Sequence, residues 1–219
     1  MSKQKIKPLR EPLSRIWFLS RGYDPIDPTL VFGRLFYIKV QGTDVSILDP
    51  FGQKGCIRIR PNEKGSINNR HLKPYYYLHF SVNGRSRQVP ISLLVMATYN
   101  RQVPDRSKGD VIDHIDGNTL NNNPRNLRIV SRAINDRDAG FMRKLRNNGY
   151  NVAMFPGIIL EGYTRMAEWK ETHTKRQYEN LTREELLRVF VGPQFQVVDI
   201  TPLDDLNINR HYDPFIERD

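Results

Sequence analysis

The chain has 219 residues, 38% of them hydrophobic and 26% charged, which excludes a disordered or fibrous polymer and provides for one sizeable core or two small ones. Its 34 lysines and arginines against 24 acidic residues give a formal net charge of +10, a balance that suits a polyanionic partner such as nucleic acid. The single cysteine, Cys56, excludes an intramolecular disulfide and any metal centre built from several thiolates, and no apolar run approaches the roughly 20 residues of a membrane-spanning helix.

The charge is uneven along the chain. Residues 1–109 hold 19 basic and 7 acidic side chains, 110–149 hold seven and five, and 150–219 hold eight and twelve. The front of the protein is therefore expected to face the polyanion, with 1–34, opening on "MSKQKIKPLREPLSR", as a basic arm. Without a secretory h-region the protein is expected in the cytoplasm.

Residues 35–109 read as a β-rich region. "LFYIKV", "VSILD", "CIRIR" and "YYYLHFSV" alternate or run β-branched and aromatic between glycine, asparagine and proline breaks. Asn83-Gly84 falls between two such runs and signals a hairpin, because both central residues of a type I′ turn need positive φ. "ISLLVMATY" then reads as a short buried helix. Tyr75, Tyr76 and Tyr77 read as core and rim residues of a strand, although a strand tyrosine can also stack on a base.

Residues 110–149 form the next segment. "DVIDHID" is a short strand ending at Asp113-His114, "GNTLNNNPRN" is a loop of residues that bond their own backbone, and "LRIVS" is a second strand. "RAINDRDAGFMRKLRNN" is a helix with Ser131 at its N-cap, and Ile134, Phe141 and Leu145 form a stripe expected to pack on the two strands. Asn135, about 100° around the helix axis from Ile134, is placed to point back toward Asp113 and His114. Taken alone, "DHIDGN" fits an ordinary turn, and it is not an EF-hand, because aligning Gly117 puts Ile112 and Asn123 where Asp and Glu are required.

In residues 150–219, "NVAMFPGIILEGYTRMAEWKE" reads as two short strands and "TREELLRVFVG" as a helix with a Thr182/Glu185 capping box and Gly192 at its end. An acidic extended tail follows. The excess of acidic residues fits packing or docking of a protein partner better than contact with DNA. The expected class is α+β: short antiparallel strands with a hairpin and helix, a central strand-strand-helix motif, and a small α/β C-terminal segment.

The motif "DHIDGNTLNNNPRNLRIVSRAIND" resembles the HNH endonucleases with their ββα-metal fold, and is most similar to the phage and intron-encoded homing nickases. The resemblance covers about a sixth of the chain and rests on the Asp-His pair, on Asn126-Leu127 twelve residues after His114, and on a second asparagine in the helix. It implies that His114 is the general base, that Asp113 and Asn135 hold one divalent metal, Mg²⁺ or Mn²⁺, and that Asn126 ties the loop together within the catalytic set. A histidine expected near 89–91 in many relatives is replaced by Pro90.

The chemistry requires these residue types. Phosphodiester hydrolysis must activate water and neutralise charge on the phosphorane and the leaving oxygen. A carboxylate with a carboxamide suits a hard cation, and an imidazole, which titrates near neutrality, can accept the proton of water. Arg128 on the second strand is the candidate to grip the phosphate close to the scissile bond, and Arg125, Arg132, Arg137, Arg143 and Lys144 are candidates for other phosphates of double-stranded DNA. The sequence thus supports a metal-dependent DNA endonuclease, monomeric and acting as a nickase. The other class it permits is an HNH-derived nucleic-acid-binding or assembly protein without turnover.

Overall fold

The β-branched and aromatic runs between residues 24 and 131 become three small antiparallel sheets, because each run is too short and too one-sided to bury its apolar face alone. The computed structural model of the protein describes residues 11–60, 74–149 and 156–192. The chain divides into two units, Met1–Asp136 and Arg137–Asp219.

In the first unit, Ser14 caps helix α1 (Arg15–Leu19) by accepting from the Trp17 N–H, and strand β1 (Asp24–Pro25) follows. Residues 11–34 are thus built into the fold. Phe18 is fully buried and stacks on Tyr37 with ring centroids 3.7 Å apart. Strands β2 (Tyr37–Gln41) and β3 (Asp44–Leu48) complete the first sheet, in the order β1-β2-β3. The second sheet contains β4 (Cys56–Arg60), β5 (Tyr75–Val82) and β6 (Arg85–Pro90). Between β5 and β6, Asn83 and Gly84 take φ of 50° and 73°, the type I′ geometry that the dipeptide specifies.

Helix α2 (Ile91–Val95) continues into a π-helical turn over Met96–Asn100. Its apolar side inserts Ile91, Leu94, Val95 and Met96 between the sheets, in one core with Ile38, Ile47, Leu78, Val89 and Leu127. Tyr99 donates from its hydroxyl to the Ile38 carbonyl at 3.1 Å. Burial, reinforced by the nearby Asp24, pushes that phenol up to about 12, so it remains a donor at any physiological pH.

The third sheet pairs β7 (Asp110–His114) with β8 (Leu127–Ser131), and helix α3 (Arg132–Asn147) follows. Ser131 caps the entry to α3 by accepting from the Ile134 N–H at 3.4 Å. The division between the units falls within α3. Ile134, Phe141 and Leu145 do not act as one stripe toward the strands: Ile134 is 38% exposed, whereas Phe141 is buried with its ring against Tyr163 and Tyr178.

In the second unit, α4 (Pro156–Thr172), α5 (Lys175–Glu179) and α6 (Arg183–Val191) follow α3. The two strands expected across 151–171 are corrected here. Residues 156–172 form one helix, and 151–155 lie outside the described residues. Pro156 opens the helix, where its missing N–H costs nothing, and Ile159, Tyr163 and Met166 recur at the helical period on the buried side. The Thr182/Glu185 capping box and Gly192, at φ 99°, bound α6 as expected. The acidic tail expected after Gly192 lies outside the described residues.

Gly162 lets α4 approach α6: a Cβ there would meet the Phe190 ring at 2.5 Å. Gly162→Ala, which in an open helix gains up to about 1 kcal/mol from propensity, is therefore expected to destabilise the helical unit by about 1–3 kcal/mol. Urea unfolding followed by circular dichroism checks this, and a stabilised variant would show that the two helices are not in close contact.

Candidate active site

The β7–β8 pairing sets two residues opposite two others: Asp113 faces Arg128, and His114 faces Leu127. Successive side chains in a strand point to opposite faces, so His114 shares the face of Ile112, Leu127 and Ile129, which packs on the core, while Asp113 and Arg128 share the other. The guanidinium of Arg128 grips Asp113 through Nε at 2.9 Å and Nη2 at 2.7 Å. Both donors share Oδ2, and Oδ1 of Asp113 accepts no hydrogen bond among the described residues.

The loop from Ile115 to Asn126 is held by its own polar groups. Asn126, 1% exposed, accepts from the Asp116 N–H at 3.0 Å and donates to the Asp116 carboxylate and the Asn121 carbonyl, both at 2.9 Å. Its carbonyl accepts from the Ile115 N–H at 2.9 Å, which closes the end of the two-stranded ladder. Asp116 also accepts from the Asn118 N–H and from the Asn121 amide, both at 2.7 Å. The loop is tied to the rest of the first unit by Asn123 donating to the Gly42 carbonyl, Asn100 donating to the Pro124 carbonyl and Thr119 donating to the Pro74 carbonyl. Asparagine suits these positions because its carboxamide both donates and accepts.

His114 is 4% exposed, and its Nε2 lies 3.3 Å from Oδ1 of the buried Asn122. The Asn122 amide nitrogen donates to the Leu120 carbonyl at 3.2 Å, which assigns the oxygen to the histidine side. An acceptor at that place pairs with a hydrogen on Nε2. The Tyr75 ring lies edge-on to the imidazole at 5.9 Å. Burial raises the Tyr75 phenol above its ordinary pKa, and the charges of Tyr77 and Asp113 add to the effect.

The sequence does not single out Asn122, and it reads Tyr75 as a strand residue or a base-stacking ring and not as a neighbour of His114. Asn122 is one asparagine among several in a loop rich in turn formers. Tyr75 is distant in sequence and is brought to His114 only by the tertiary packing of β5.

Asn135, half-buried near the start of α3, makes no side-chain hydrogen bond among the described residues. Arg125, Arg132, Arg137 and Arg143 are exposed. Arg137 bonds Asp138 at 2.8 Å. Lys144 lies over the Tyr178 ring at 4.6 Å and donates to the Glu179 carbonyl at 3.3 Å, and burial lowers its pKa although the nearby Glu179 opposes the shift. The other histidines of the described residues lie elsewhere: His79 in β5, and His173 stacked on Trp169.

Among the described residues no three His, Cys, Asp or Glu side chains gather around a common point. The expected donor set is of another kind, one carboxylate and one carboxamide. No helix among the described residues is long and apolar enough to cross a membrane.

Residues 104–137 match the family model of the HNH endonucleases. The match spans β7, the asparagine loop, β8 and the start of α3. No curated protein and no solved structure matches the chain.

Proposed function

Because residues 104–137 carry an HNH endonuclease motif, we propose that this protein is a metal-dependent DNA endonuclease in which His114 is the general base. The observation that carries the reading is the placement of Asp113 and His114 at the end of β7, on opposite faces of one strand, with the following loop locked by Asn126. HNH nucleases generally use a divalent metal, and this donor set fits one. Oδ1 of Asp113 accepts no hydrogen bond among the described residues, Asn135 offers a carboxamide oxygen, and both are hard oxygen donors suited to Mg²⁺ or Mn²⁺. When bound, the ion supplies charge for the phosphorane and the leaving oxygen.

The protein's own residues do the rest. Asn122 meets Nε2 of His114 at 3.3 Å and orients the imidazole that is proposed to receive the proton of the attacking water. Arg128 holds Oδ2 of Asp113 and thereby fixes which carboxylate oxygen is presented to the ion. Arg125, Arg132, Arg137 and Arg143 are proposed as contacts to the phosphate backbone, with Lys144 beside them in sequence. A single Asp-His…Asn…Asn set can attack one strand per docking event, so the protein is proposed to act as a monomeric nickase of the phage or mobile-element type, working in the cytoplasm of the host cell.

Asp113→Ala is expected to raise the metal concentration needed for half-maximal cleavage by about 10–100-fold, the usual penalty for damaging a metal site. Titration of Mg²⁺ in a plasmid-nicking assay measures it. An unchanged metal dependence would remove Asp113 as a ligand.

A further inference from the structure

The acidic balance of the last 70 residues is not spread evenly. Residues 156–192 hold six acidic and six basic side chains, whereas 193–219 hold six acidic and two basic. Residues 156–192 are thus neutral as a whole.

A cavity of about 520 Å³ lies between the end of α4, α5 and α6. One wall is aromatic. His173 stacks flat on Trp169, with ring centroids 3.8 Å apart and planes 9° apart, and its Nδ1 is fixed by the Trp169 carbonyl at 2.9 Å and the Thr172 hydroxyl at 2.8 Å. Arg176 and Arg188 line the same cavity, and neither guanidinium forms a hydrogen bond or an ion pair among the described residues.

The one carboxylate of the lining, Glu185, is committed to the α6 cap. It accepts from the Thr182 N–H at 2.9 Å and from the Thr182 hydroxyl at 3.0 Å, bonds that hold it below the ordinary glutamate range. Gln177 likewise gives its Oε1 to Thr174, which leaves its NH₂ unclaimed, and the Asn180 carboxamide has no partner among the described residues.

A flat aromatic wall, two guanidiniums that make no hydrogen bond or ion pair among the described residues, although Arg188 lies within electrostatic reach of Glu185, and two carboxamides with hydrogen-bonding capacity to spare are what one nucleotide of an unpaired strand requires. The base stacks, the phosphate pairs with arginine and the base edge meets the amides. The volume falls within the range of pockets that enclose a small ligand. We infer that the cavity lined by Trp169, His173, Arg176, Gln177, Asn180 and Arg188 is a second nucleic-acid site, which takes one nucleotide of single-stranded DNA. This inference rests on the nuclease reading for its choice of nucleic acid as ligand, but not on the chemistry at His114.

The protein has two tryptophans, so Trp17→Phe leaves Trp169 as the only indole reporter. Titrating that variant with an eight-residue oligothymidylate in EDTA is expected to quench Trp169 saturably, with affinity falling about tenfold in the added Arg176→Ala/Arg188→Ala pair. His114→Ala should leave the quenching unchanged. No quenching, or the same affinity without the two arginines, overturns the site. Equal quenching by polyglutamate assigns the cavity to acidic peptide and overturns it as well.

Should Trp17→Phe fail to fold, photocrosslinking of a 5-bromodeoxyuridine oligonucleotide to the unaltered chain reads the same contact: adducts should map to 169–188, and adducts only elsewhere refute it. Quenching without any cleavage activity would leave this site standing and sink the nuclease reading, and cleavage without quenching would do the reverse.

Discussion

His114→Ala is expected to lower the rate of DNA cleavage by about 10²–10⁴-fold while changing DNA affinity little, because the imidazole acts on water and not on the phosphate backbone. The side chain is buried against Tyr75 and Asn122, so truncation also leaves the Asn122 oxygen without its partner and costs about 1–3 kcal/mol of stability. Cleavage rate, DNA affinity by anisotropy and the urea midpoint, measured on one preparation, separate the two effects. A variant retaining more than about a tenth of the wild-type rate would remove His114 as the base.

Asn126→Ala is expected to be the more damaging change for the fold of the motif. The carboxamide is 1% exposed and makes three hydrogen bonds, to the Asp116 N–H, the Asp116 carboxylate and the Asn121 carbonyl. Removing it strands buried partners that alanine cannot satisfy, at a cost of about 2–4 kcal/mol. The loop that carries Asn122 should loosen, so cleavage falls although no group touching substrate is altered. Hydrogen exchange of the amides of 115–122 checks this directly. Unchanged protection there, together with an unchanged urea midpoint, would show that Asn126 does not hold the loop.

Much of the fold around this loop is legible in the sequence. Period-two alternation marks β2, β3, β4 and β5, and Asn83-Gly84 marks a turn whose φ values only a few residue types accept. Asp113 and His114 are visible because their spacing to Asn126 and Asn135 is rare in combination.

What was not legible depends on tertiary pairing. That Arg128 grips Asp113 follows from the β7–β8 register, which is set by how the intervening loop folds. Tyr75 reaches His114 from another sheet. In α4 the run Ile158–Leu160 mimics a strand, and only the burial of Ile159, Tyr163 and Met166 on one side, with Gly162 against Phe190, decides for a helix. The stripe of α3 fails for a similar reason: Phe141 finds its partners on α4 and α5, a neighbourhood that no local pattern announces.

The decisive measurement is incubation of the purified protein with supercoiled plasmid and Mg²⁺ or Mn²⁺, followed over time on an agarose gel beside the same reaction in EDTA and beside His114→Ala. Nicked circle should accumulate first, with linear DNA late, and only when both the metal and His114 are present. Cleavage that persists in EDTA or in His114→Ala, or no cleavage with either ion, would contradict a metal-dependent nuclease centred on His114. Linear product at the earliest times, second order in protein, would replace the monomeric nickase with a dimer.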